Sequence, residues 1–135
     1  MALFTWSSDW SVGVPSIDLQ HQKLIDLMNE LHEAMRTGKG GDQIAKTLKE
    51  LVGYTLVHFG NEERLMKAHA YGEYERHKGI HDDLVATVKE LQQKVLSGNA
   101  FVTIQVMNML KDWLANHIRG EDQKLGPYLT SQGVA

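Results

Sequence analysis

His77 and His81 are spaced four residues apart, which on a helix puts both on one face. Continuing that face gives Leu84, Val88, Leu91 and Val95, so both imidazoles point where the apolar side chains point. One core histidine can be satisfied by a hydrogen bond. Two stacked on the core side of one helix suggest a metal, because neutral imidazole is the commonest protein metal ligand. Other stretches repeat the pattern. His21 falls between Ile17 and Leu24, His58 and Glu62 continue a stripe through Leu51 and Thr55, and His117 continues one through Leu110 and Trp113, with Asp122 close behind.

Four helices must carry these side chains. The first is expected from Ser16 or Asp18, either of which can cap it, to Arg36, with Ile17, Leu24, Met28, Leu31 and Met35 as its stripe. The glycine-rich residues 38–41 end it. The second is expected to start at Asp42 as N-cap and to run to about Lys67 on Ile44, Leu48, Leu51, Thr55 and Leu65. A short connection at residues 68–72 leads to a third helix from about Glu73 to Leu96. A turn at 97–99 leads to a fourth from near Ala100, with Val102, Val106, Leu110 and Trp113 inward. Gly120 weakens its end, Pro127 bars regular helix from continuing freely, and the tail from Thr130 is expected to be loose. Residues 1–15 read as an irregular arm whose Trp6 and Trp10 cover one end.

The expected fold is all-α: an up-down-up-down antiparallel four-helix bundle with an irregular N-terminal arm. It forms one domain over residues 1–135, with the bundle at about 16–125 and the tail at about 126–135. In that topology His21, His58, Glu62, His77, His81, His117 and Asp122 fall at one end. Five imidazoles and two carboxylates buried together without metal would leave polar groups unpaired, at about 1–3 kcal/mol each. A metal centre removes that cost. His32, about three turns from His21, and His69, in a loop, are read as boundary or surface residues.

Composition excludes other chemistry. There is no cysteine, hence no disulfide, thiolate ligand or cysteine nucleophile. A net charge of −3 gives no electrostatic footprint for nucleic acid. Neither a signal peptide nor a membrane span is apparent, so a cytoplasmic protein without membrane insertion is expected.

One His on the first helix, HxxxE on the second, HxxxH on the third and HxxxxD on the fourth resembles the hemerythrin family. Val12-Gly13-Val14, Ile17-Asp18, Gln20-His21 and Leu24 are similar to its bacterial members, the bacteriohemerythrins. Gly72 departs from the proline frequent there, in a loop that carries no ligand. The resemblance implies two iron ions with a bridging oxo or hydroxo group, and reversible O2 binding. It implies that His77, His81 and His117 hold one ion, His21 and His58 the other, and Glu62 and Asp122 both. Two octahedral ions so supplied keep a single open position, on the ion with two imidazoles. Leu24, Phe59, Trp113, Leu114 and Ile118 match the family's O2 pocket and are equally readable as plain core.

Asp122 is five residues after His117, whereas an α-helix would turn Glu121 inward. A π-type widening, or an unwound turn at Gly120, would bring Asp122 in; Glu121 is the fallback. The leading function is O2 transport, storage or delivery to an oxygen-consuming enzyme, by a monomer. The alternatives are a sensor of O2, nitric oxide or redox state, and a di-iron oxidase or peroxidase-type enzyme. A structural zinc ion takes four ligands, too few for this set.

Overall fold

The computed structural model describes residues 5–37, 41–96 and 102–134. Among these there is no strand. Helices α1 (Pro15–Arg36), α2 (Gly41–Ala68), α3 (Tyr74–Leu96) and α4 (Val102–Asn116) form an all-α four-helix bundle. A π-helical segment, His117–Asp122, and α5 (Gln123–Ser131) prolong α4. No helix among the described residues is long and apolar enough to cross a membrane.

The stripes read from the sequence form the core. Ile17, Leu24, Met28 and Leu31 of α1 are buried against Leu48, Leu51 and Leu65 of α2 and Leu110 and Trp113 of α4. Met35, Ile44 and Leu84 pack against them half-buried. The side chains of Leu91, Val95, Val102 and Val106, and the turns expected at 38–40 and 97–99, lie outside the described residues.

Both starts read from capping residues are corrected. Helix α1 begins at Pro15, whose fixed φ suits a first helical position and whose missing N–H costs nothing there. Asp18 instead ties down the arm: its carboxylate accepts the Ser11 hydroxyl at 2.6 Å and the Val12 N–H at 2.8 Å. Asp42 lies inside α2, which begins at Gly41.

The tail is corrected as well. Helix continues through Pro127 to Ser131. Proline within a helix costs about 3 kcal/mol. Fully burying Leu125 and Leu129 returns about 1.5–3 kcal/mol each, so packing wins. The arm runs against the same helix. It contains a 3₁₀ turn at Ser8–Trp10, and Val12 and Val14 are buried. Its backbone passes so close to α5 that a Cβ on Gly126 would lie 1.9 Å from the Val12 carbonyl oxygen. Gln123 Nε2 donates to the Asp9 carbonyl at 2.8 Å, and the Arg119 guanidinium lies 4.4 Å from the Trp10 ring centre. Trp6 and Trp10 pack half-buried against the core, as expected.

Candidate metal centre

Each helix delivers its ligand candidates through its own apolar period. His21 follows Ile17 by one turn of α1, His58 and Glu62 close the α2 stripe, and His77 and His81 open that of α3. His117 continues Trp113 at the end of α4. Antiparallel packing brings them together, and all are at most 3% exposed.

The spacing problem at Asp122 is solved by the π segment. Its six residues, His117–Asp122, put the wider turn where the sequence needs it. Glu121 is turned outward and held by Arg76 of α3, whose two terminal nitrogens lie 3.1 and 2.7 Å from its carboxylate oxygens. Asp122 is turned inward and fully buried.

The side chains form two donor groups. One contains Glu62, His77, His81, His117 and Asp122; the other contains His21, His58, Glu62 and Asp122. Both carboxylates belong to both groups. Nε2 of His81 and of His117 lie 3.1 and 3.4 Å from Glu62 Oε1, and Nε2 of His77 lies 3.1 Å from Asp122 Oδ1. On the other side, Nε2 of His21 lies 2.7 Å from Asp122 Oδ2, and Nε2 of His58 lies 3.7 Å from Glu62 Oε1.

The donor set fits a pair of cations. His58 Nε2, His77 Nε2, Glu62 Oε2 and Asp122 Oδ1 are buried without a hydrogen-bond partner, an expensive arrangement unless they ligate. Burial and the neighbouring Asp122 charge push the Glu62 carboxyl up, yet the imidazoles of His58, His117 and His77 outweigh them and hold it below its usual range. Burial likewise opposes ionisation of Asp122, and His117, His21 and His58 overcome it. Burial would lower the imidazoles of His77 and His117, but the two carboxylates raise them to about 9 and about 10. The two ionised carboxylates carry negative charge that divalent cations would balance, and ligation would displace the protons of His77 and His117.

Two residues that the sequence reading missed sit behind the imidazoles. His58 Nδ1–H donates to Gln20 Oε1 at 2.7 Å, and His81 Nδ1–H donates to Glu63 Oε2 at 3.0 Å. These bonds fix both tautomers with Nε2 facing the centre. Their only signal in the sequence is adjacency, since Gln20 precedes His21 and Glu63 follows Glu62. Phe59 stacks flat on His81, with ring centres 3.8 Å apart, and Trp113 lies against His117. Leu24, Leu114 and Ile118 are buried at most 1% exposed. His32 and His69 are half-buried and belong to neither donor group.

The chain matches the hemerythrin HHE cation binding domain over residues 12–129. It is 36% identical over 132 residues to a bacteriohemerythrin of Methylococcus capsulatus, covering 97% of this chain and all of the relative. It is 38% identical over 122 residues to that of Pseudomonas aeruginosa, covering 90% of this chain and 78% of the relative. A crystal structure of wild-type hemerythrin superposes with a TM-score of 0.89 at 36% identity, over 96% of this chain and 99% of that one. A match over nearly the whole bundle, joined to relatives of this similarity, places the chain in the hemerythrin family.

Proposed function

We propose that this chain binds O2 reversibly at a pair of iron ions, for oxygen transport, storage or delivery. The observation that carries this reading is the sharing of Glu62 and Asp122 between the two donor groups. His77, His81 and His117 hold one ion in this reading. His21 and His58 hold the other, and Glu62 and Asp122 span both. The iron pair, joined by an oxo or hydroxo bridge, supplies the O2 binding itself.

The chain's own side chains do the rest. Gln20 and Glu63 keep two imidazoles aimed inward. Leu24, Phe59, Trp113, Leu114 and Ile118 are all buried and line the O2 pocket in this reading. They exclude water, which slows irreversible oxidation of the centre. Five imidazoles against two carboxylates favours binding over catalysis, because oxygen-activating bundles use Glu from two helices and Glu-x-x-His from two others. We take the chain to work as a cytoplasmic monomer that passes O2 to an oxygen-consuming enzyme.

The test is a visible spectrum of the iron-loaded protein, reduced, then in air, then under argon. The expected result is an absorption band that appears in air and disappears under argon over repeated cycles. A band that appears once and decays to an oxidised form that argon does not reverse would move the assignment to an enzyme or a redox sensor.

A further inference from the structure

Two of the five imidazoles have a side-chain partner behind the ring, and the partners differ in charge. His58 is backed by the neutral amide of Gln20, which also accepts from Asn61 Nδ2 at 3.2 Å. His81 is backed by the carboxylate of Glu63. The Nδ1 atoms of His21, His77 and His117 are buried without a hydrogen-bond partner. The two partnered imidazoles belong to different donor groups, so the charge difference falls between the two halves of the centre.

The surroundings of Glu63 hold it in place. Its second oxygen lies 3.9 Å from Lys78 Nζ, and Lys78 is anchored one turn along α3 by Asp82 at 2.9 Å. Glu63 lines a cleft of about 280 Å3 between α2 and α3, with Phe59, Gly60 and Val85 beside it. At 21% exposed, its side chain keeps part of its contact with water. The His81 ring is therefore clamped twice, on its face by Phe59 and at its Nδ1 edge by Glu63.

We propose that Glu63 is a positioning residue for the three-imidazole half of the centre, holding the His81 ring in register and making it a stronger electron donor than His58. A charged acceptor polarises the ring N–H more than a neutral amide does, and that raises the donor strength of the opposite nitrogen. The two halves are then electronically unequal before any ligand arrives. The ion held by His77, His81 and His117 is favoured in its oxidised state, and the ion held by His21 and His58 is not. This rests on the di-iron reading of the site.

Two variants separate charge from geometry. Glu63→Gln keeps an acceptor oxygen and removes the charge, and Glu63→Leu removes both. In cobalt(II) titrations of the full chain under argon, wild type is expected to bind two ions. Glu63→Leu is expected to weaken one of them by about 10- to 100-fold, with Glu63→Gln recovering most of the loss. In the iron-loaded protein, Glu63→Gln is expected to raise the reduction potential, and Gln20→Glu to lower it. Cobalt affinities in Glu63→Leu equal to wild type, or a wild-type potential in Glu63→Gln, would overturn the proposal. A wild-type chain that takes up no cobalt would overturn the di-iron reading, and this proposal with it.

Discussion

Glu62 and Asp122 are carboxylates buried completely among imidazoles, and each reaches both donor groups. Removing either should therefore affect two ions rather than one. Asp122→Asn is expected to weaken binding of both ions, by more than the roughly 10- to 100-fold cost of losing an outer partner. Glu121→Gln, one residue away, should leave metal stoichiometry unchanged, because Glu121 faces Arg76. Metal titration of the two variants checks the pair. The imidazoles also give a pH signature. In the metal-free protein His77 and His117 hold their protons to about 9 and about 10, above the ordinary histidine value. Their stabilising contribution is full below that ordinary value, about 6.5, and is lost as pH rises through the folded values. Urea midpoints of metal-free protein should fall between pH 7 and 10, whereas bound metal, which needs neutral imidazoles, should reverse that trend.

The elements that position these residues use two close backbone arrangements. Gly126 is the contact point between α5 and the arm, with no room for a Cβ beside Val12. Gly126→Ala is expected to destabilise the fold by about 1–3 kcal/mol, the usual cost of overpacking, with the arm displaced. A urea midpoint and the fluorescence of Trp6 and Trp10 would register both. Helix α2 ends in a cap where Tyr71 N–H donates to the Met66 carbonyl at 2.9 Å and Ala70 N–H to that of Lys67 at 3.3 Å. Ala70 takes φ +53° there, a conformation that strains any residue with a Cβ. Ala70→Gly should raise stability by about 0.5 kcal/mol, the strain relief less the entropy a glycine loses on folding. Hydrophobic period made the helix faces legible from sequence, because burial of Ile17, Leu48 or Leu110 depends on spacing alone. The ends were less legible. Ser16 and Asp18 both satisfy the capping preference, and only the arm's position shows that Asp18 serves Ser11 and Val12 instead. The continuation through Pro127 depended on burial of Leu125 and Leu129, in a stretch whose Gly126 lies against Val12, more than a hundred positions away.

At the scale of the molecule, one end of the bundle gathers five imidazoles and two carboxylates, while the rest of the core among the described residues is apolar but for Thr47 and Thr55. That concentration is why the candidate ligands could be found without coordinates. Six of them were read from their own helix's apolar period and brought to one level by antiparallel connection. Asp122, out of α-helical register with His117, was read from the HxxxxD resemblance and needs the π segment to face inward. Gln20 and Glu63 escaped that logic because hydrogen bonding to the back of a ring leaves no periodic trace. Metal should act on the whole fold, since the residues that would hold it come from α1, α2, α3 and the π segment. Free metal at about 100 times the dissociation constant stabilises a folded protein by about 2.7 kcal/mol per site. For a chain of this length that is a rise in Tm of about 10 °C, reversed by a chelator and measurable by calorimetry. The most direct check on the shared carboxylates is the number of iron(II) ions taken up per chain under argon, followed by magnetic susceptibility after oxidation. Two ions per chain, whose moments fall together because a bridge couples them, is the predicted result. A single ion, or two that behave as independent centres, would contradict the assignment of Glu62 and Asp122 to both.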